Sequence, residues 1–258
     1  MMLAGIEGGD GERGLPLVLL HGLFGAARNF GAIVRTVGAE RRVIALDLRN
    51  HGDSPHASGM DYDTMARDVL ESLAARGALP CALVGHSMGG KVAMRAALRD
   101  PEAVVRLLVS DIAPVAYAPA SIAYARAMTA LPLRPGLTRA AADAFLATTV
   151  PEAPLRAFLL QNLAVGPMPR WRIGLEHILT DFDAIGGWPD LPAGTAYAGP
   201  TLFVAGARSA YILPKYRPAI RTLFPASHFV TVKEAGHWVH ADNPAGFMAV
   251  LRTFLAAA

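Results

Sequence analysis

Two short, uninterrupted apolar runs near the start of the chain, Leu17-Val18-Leu19-Leu20 and Val43-Ile44-Ala45-Leu46, have the length and the lack of alternation expected of strands buried on both faces. The first stops at His21-Gly22 and the second at Asp47. Residues 27–38 between them predict a helix or an irregular helical turn. Over residues 62–76 the period changes. Met65, Val69, Leu70 and Leu73 recur at helical spacing, with Asp61, Asp63, Arg67, Asp68 and Glu71 mostly opposite them, so this is an amphipathic surface helix. Residues 81–84 then predict a strand, 85–90 a sharp turn, 91–98 a helix stopped at Asp100-Pro101, and 104–109 a strand. Short apolar strands alternating with helices call for an α/β fold with a parallel sheet covered on both faces.

After Asp111 the pattern is different. Ala, Leu, Arg and Pro dominate residues 113–199, and the periodic pieces 121–131, 138–148 and 154–163 all predict helices, with no strand pattern among them. The stretch is too long for a simple crossover and too dependent on its neighbours for a separate domain, so it is expected to be a helical cap inserted into the core. Strands are predicted again at 201–205 and 228–232, followed by a closing helix at 244–255 whose apolar side is Phe247, Val250, Leu251 and Phe254. The expected organisation is therefore a core of residues 1–112 and 200–258 with a cap of residues 113–199.

Composition narrows the function classes. Of the 258 residues, 53% are hydrophobic and 17% charged, enough apolar material for a sizeable core. The net charge is +3 and the basic residues are scattered, so a nucleic-acid stripe is not expected. The single cysteine, Cys81, has no internal partner and sits in an apolar stretch where a buried thiol is ordinary. The first residues carry Glu7, Asp10 and Glu12 without a continuous apolar run, and no apolar stretch reaches the roughly 18 residues that span a membrane. The expectation is a soluble, cytoplasmic protein with no membrane or nucleic-acid partner.

The chemistry starts at Gly85-His86-Ser87-Met88-Gly89, a G-x-S-x-G pattern set between a predicted strand and a predicted helix. A serine at such a corner is strained and exposed, and flanking glycines remove Cβ atoms that would collide with neighbouring backbone. Ser87 is the candidate nucleophile; the plain alternative is a glycine-rich turn. A serine hydroxyl needs a base. Of eight histidines, His237 in Ala235-Gly236-His237-Trp238 stands just past a strand, with His240 expected as a packing or hydrogen-bonding neighbour. The base needs an orienting carboxylate. Asp111 ends the strand beside that of Ser87, whereas the later strand runs into Gly206-Ala207-Arg208-Ser209-Ala210, which has no carboxylate. Glu234 is expected on the outer side of its loop. The order Ser, Asp, His supports Asp111, which could otherwise simply cap a turn. The oxyanion site needs backbone donors. Met88 N–H is one candidate, and the other is Leu23 N–H in His21-Gly22-Leu23-Phe24-Gly25, with Phe24 as the fallback.

With these motifs in hand, the chain resembles the α/β-hydrolase superfamily, and more narrowly its bacterial YbfF-type esterases and the related mitochondrial abhydrolase-domain proteins. The resemblance rests on His21-Gly22-Leu23-Phe24-Gly25, the stretch from Asp47 to His56 around Arg49-Asn50-His51-Gly52, Gly85-His86-Ser87-Met88-Gly89-Gly90-Lys91, Asp111-Ile112-Ala113-Pro114 and Gly236-His237-Trp238-Val239-His240. It implies a mostly parallel sheet of about eight strands with a helical cap, no cofactor or metal, and hydrolysis of small-molecule esters or thioesters. It also implies a structural role for Arg49 and Asn50, holding loops by hydrogen bonds. Many members of the superfamily place the acid in the region of residues 206–210, which is empty of acids here.

Phe24, Tyr117, Tyr124, Met128 and Trp238 are candidates for the apolar wall of an acyl pocket, though each could equally be core. No basic cluster marks a phosphorylated or carboxylated substrate unless Arg126 and Arg170 turn inward. The expected substrates are therefore esters of short to medium acyl length. A perhydrolase or carbon–carbon bond hydrolase could use the same site, and a non-catalytic binding protein could use the same fold. A dehalogenase is disfavoured because its nucleophile would be Asp, and a dinucleotide enzyme because G-x-G-x-x-G is missing after the first strand. The sequence does not fix the oligomeric state.

Overall fold

The computed structural model describes residues 1–9, 14–118 and 121–256; Asp10, Glu12 and residues 119–120 of the expected cap lie outside the described residues. Strands β1 (Gly5–Gly8), β2 (Leu17–Leu20), β3 (Val43–Leu46), β4 (Cys81–His86) and β5 (Val104–Ser110) form the first half of a sheet. It holds helices α1 (Gly31–Gly38), α2 (Tyr62–Ala75) and α3 (Met88–Arg99) between them. Five helices follow: α4 (Ile122–Ala130), α5 (Arg139–Leu146), α6 (Ala153–Leu160), α7 (Leu175–Thr180) and α8 (Phe182–Gly186). Between α6 and α7 lies a small antiparallel pair, β6 (Leu163–Ala164) and β7 (Arg170–Trp171). The core pattern resumes with β8 (Thr201–Gly206), α9 (Arg217–Leu223), β9 (Ser227–Val232), α10 (Val239–Asp242) and α11 (Pro244–Ala256).

The sheet runs β1-β3-β2-β4-β5-β8-β9, and every pairing is parallel except that of β1. Among the described residues the sheet has seven strands, where about eight were expected. The edge strand β1, Gly-Ile-Glu-Gly, is half exposed and glycine-flanked, so no buried run announces it. The pair β6 and β7 corrects the expectation of no strand in this region, and at two residues each it is too short to show a period.

Side-chain alternation divides the core into two layers. Leu17, Leu19, Val43, Ala45 and Val84 point to one face, where α1 and α11 cover them; Val18, Leu20, Ile44, Leu46 and Leu83 point to the other, beneath α2 and α3. Buried residues of α4 to α8, among them Met128, Leu159, Ile178 and Phe182, join the second layer. Helix α2 opens at Asp61, whose carboxylate accepts the Thr64 N–H at 2.8 Å, an N-cap that ties the sequence pattern to the helix start.

This order sets where a site can be. From β2 the chain goes to β3 on one side, then returns to β4 on the other, so the loops after β2 and β4 diverge from neighbouring strands. In open α/β sheets that divergence leaves a crevice at the carboxyl edge. Ser87 follows β4 and Gly22-Leu23 follow β2.

Candidate active site

Strand β4 pairs His86 with Ser110 of β5, so the residues next in line, Ser87 and Asp111, leave the sheet side by side. Both have left-handed backbones, φ 52° for Ser87 and 56° for Asp111. Ser87 is the N-cap of α3. The glycines around it are required sterically: a Cβ at Gly85 would overlap the Gly89 carbonyl, and one at Gly89 would lie 2.5 Å from the carbonyl oxygens of Leu20 and His21. A larger residue at either position would push α3 off the sheet.

His237 arrives from the loop after β9. Ser87 Oγ–H donates to His237 Nε2 at 3.0 Å, and His237 Nδ1–H donates to Asp111 Oδ2 at 2.8 Å. Asp111 is fully buried, a position a carboxylate tolerates only when donors replace water. Two more supply this: Gly206 N–H donates to Oδ1 at 3.1 Å, and the Ser209 hydroxyl donates to Oδ2. The loop that lacks an acid thus solvates the acid next door. Tyr211, from the same loop, stacks on the His237 ring at 4.1 Å, and His86 Nε2–H donates to the His237 carbonyl at 2.8 Å. His240 sits beside His86 with rings 5.0 Å apart, as a packing neighbour. Glu234 is exposed.

Met88 opens α3, where the first N–H groups have no intrahelical acceptor and the helix dipole favours negative charge. Gly22 lies against Ser87, since a Cβ there would come within 3.1 Å of the Ser87 Cβ, and among the described residues no acceptor takes the Leu23 N–H. The Phe24 N–H is a correction to the fallback expectation. It is already spent on His51 Nε2 at 3.2 Å.

Behind this loop His21 Nδ1–H donates to the Gly22 carbonyl and its Nε2 accepts Leu48 N–H, while His51 Nδ1–H donates to the Arg49 carbonyl. Burial lowers the imidazole of His21 to about 4 and that of His51 to about 3, so both act as neutral struts. Arg49 pairs with buried Asp68 and donates to the Ser58 and Gly59 carbonyls, and Asn50 clamps Ala57 through both ends of its amide.

A cavity of about 480 Å³ opens over Ser87 and His237. Phe24, Tyr117, Tyr124 and Trp238 line it; Met128 does not, because it is fully buried in the hydrophobic core beneath α4. A helical period alone cannot say which of two apolar surroundings a side chain meets. The sequence also gave no notice of Phe158, Phe182 and Lys91 in the lining. Lys91 Nζ donates to the carbonyls of Gly186 at 3.1 Å and Gly187 at 2.5 Å, flanked by the rings of Tyr62 and Tyr117. Burial pulls its ammonium down to about 7. Arg126 and Arg170 are exposed. A second, open cleft that shares Asn29 with the cavity gathers Arg28, Arg139 and Arg172 instead.

Residues 16–244 match the family model described as alpha/beta hydrolase fold. The chain belongs to the α/β hydrolase family. This hydrolase stands among esterase-like members. It is 43% identical over 257 residues to the protein of Mus musculus named sn-1-specific diacylglycerol lipase ABHD11, covering 96% of this chain and 83% of that one. It is 33% identical to Esterase YbfF of Escherichia coli, covering 93% and 92%. The solved structure titled "Marine microorganism esterase" superposes with a TM-score of 0.93 at 32% identity, covering 98% of this chain and 99% of that chain. Among the described residues no helix is long and apolar enough to cross a membrane.

Proposed function

We propose that this hydrolase cleaves carboxylic esters of short to medium acyl length, and the corresponding thioesters, through an acyl-enzyme on Ser87. The observation that carries the reading is the continuous hydrogen-bond chain from Ser87 Oγ through His237 to Asp111, opening into the cavity. His237 Nε2 accepts the Ser87 proton as Oγ attacks the carbonyl carbon. Asp111 fixes the Nδ1–H tautomer and stabilises the imidazolium that forms. The carbonyl oxygen, now anionic, accepts from the Met88 and Leu23 N–H groups. His237 returns the proton to the departing alcohol or thiol, and a water molecule then repeats the attack on the acyl-Ser87 ester.

Residues 113–199 act in this reading as a cap that supplies one wall of the cavity through Tyr117, Tyr124 and Phe158. A cavity of about 480 Å³ suits one acyl chain of modest length. The name of the mouse relative brings glycerol esters into the set worth testing. A fluorophosphonate probe followed by peptide mass spectrometry is expected to label Ser87, and Ser87→Ala is expected to lower p-nitrophenyl butyrate turnover by about 10⁶-fold while remaining folded. Label on any other residue, or undiminished turnover, would overturn it.

A further inference from the structure

The open cleft beside the cavity is built from parts that sequence places far apart. Arg28 comes from the turn after the β2 loop, Arg139 from the start of α5, and Arg172 from the residue after β7; Asn29, Gln161 and Leu163 complete it. Its lining contains no carboxylate. Among the described residues, Arg42, Arg49, Arg76, Arg95, Arg156 and Arg252 are each paired with Asp or Glu, whereas none of the three cleft arginines is. Two of the guanidiniums are instead steered by carbonyls. Arg28 Nη2–H donates to Gln161 O at 3.0 Å, and Arg139 donates to Leu160 O and to Leu163 O, the latter at 3.1 Å. Asn29 is held by its amide to the Gln161 side chain at 3.0 Å. A guanidinium has five N–H donors, so each keeps several for a ligand. Three arginines left without counter-charges repel one another, and an anion seated among them relieves that repulsion while taking charge-assisted hydrogen bonds.

The cleft and the reaction cavity meet at Asn29, which lines both. We propose that Arg28, Arg139 and Arg172 bind a phosphate group carried on the alcohol or thiol part of the substrate. The acyl chain then occupies the apolar cavity, the carbonyl lies at Ser87, and the leaving part runs out past Asn29. A phosphate monoester suits the site because its three terminal oxygens and double charge match three guanidiniums. This deepens the esterase reading and rests on it. It also replaces the expectation that no basic cluster serves the substrate: the cluster exists, but only the fold assembles it.

The test compares kcat/KM within two matched pairs, 1-butyrylglycerol 3-phosphate against 1-butyrylglycerol, and S-butyryl-4′-phosphopantetheine against S-butyrylpantetheine. The phosphorylated member of at least one pair is expected to be about tenfold better or more, an advantage that shrinks as salt is raised. Which pair shows it identifies whether the phosphate arrives on glycerol or on a thiol carrier. Arg28→Gln and Arg172→Gln, both at exposed side chains, are expected to bring that ratio towards one, and Arg172→Glu to bring it below one. Ratios near one in both pairs, or ratios the arginine variants do not move, overturn the proposal and leave the esterase reading standing if p-nitrophenyl butyrate is turned over. Failure to turn over that ester and all four substrates removes the esterase reading and the phosphate site with it.

Discussion

The carboxyl-edge loops contain every non-glycine residue with a left-handed backbone among the described residues: Phe24 after β2, Asn50 after β3, Ser87 after β4, Asp111 after β5 and Glu234 after β9. Residues 122–186 contain none, and they carry Leu133, Phe145, Val165 and Met168 exposed to solvent. Each left-handed residue costs about 1–3 kcal/mol and survives only where its surroundings over-determine it. At the edge they do: His21, His51, Asp47 and Arg49 bind backbone groups of neighbouring loops. The helical segment is tied to the core mainly through polar side chains, such as Lys91 on the Gly186 carbonyl, Asn162 on the Phe24 carbonyl and Asp181 on the Gly59 and Met60 N–H groups. One region holds atoms still for bond-making, and the other presents adaptable apolar surface. Changes at the edge should therefore alter kcat and changes in the segment should alter KM.

The largest effect is expected at Asp111. Asp111→Asn keeps the shape but presents an amide to His237 Nδ1 and selects the wrong tautomer, so kcat for p-nitrophenyl butyrate should fall by about 10⁴-fold with KM little changed. Asp181→Asn and Glu234→Gln serve as comparisons, and turnover near that of the unaltered enzyme in Asp111→Asn would dismiss Asp111 as the orienting acid. Ser209→Ala comes next. It removes one of three donors to a buried carboxylate, and a loss of about ten- to a hundredfold in kcat is expected, read from the same progress curves. An unchanged rate would mean that Gly206 and His237 suffice.

These two variants mark the limit of what was legible in the chain. Ser87 could be found because the elbow needs small residues at fixed offsets, which leaves the pattern Gly-x-Ser-x-Gly between a strand and a helix. Asp111 could be found by elimination among strand ends. Ser209 could not, because a lone hydroxyl in a loop is chemically silent until the acid it serves is placed next to it. The three cleft arginines were invisible for the same reason, being separated by 111 residues and then by 33. Met128 shows the opposite failure. Helical spacing marks it as apolar-facing, but only packing decides whether that face meets a cavity or the core.

Acid separates the two regions by charge. Burial holds His21 and His240 at about 4 and His51 at about 3, and it keeps His86 well below its ordinary value, all beneath the carboxyl edge. An unfolded histidine titrates near 6.5, so between that pH and the folded values the unfolded chain binds more protons and stability is lost as pH falls. Each of the four contributes up to about 1.4 kcal/mol per pH unit in that window, about a tenfold change in the folding equilibrium. Urea melts at pH 7 and pH 5 should show the loss, and hydrogen exchange at pH 5 should open the edge loops before α4 to α6. Equal stability at the two pH values would contradict the neutral-strut assignment.

The smallest effect is the one that best tests the division of labour. Phe158, on α6, lines the cavity and meets the Trp238 ring edge-on, 5.8 Å between centroids, so it touches the segment and the His237 loop at once. If the segment only shapes the acyl wall, Phe158→Ala should raise KM for p-nitrophenyl octanoate a few-fold, roughly what a partial loss of apolar contact costs, and leave kcat within about twofold. It should also shift preference towards longer acyl chains, because the removed ring enlarges the cavity. A fall in kcat comparable to that of Ser209→Ala would show that the ring contact positions His237 through Trp238. The edge would then depend on the segment for its geometry, and the two regions would act as one catalytic unit.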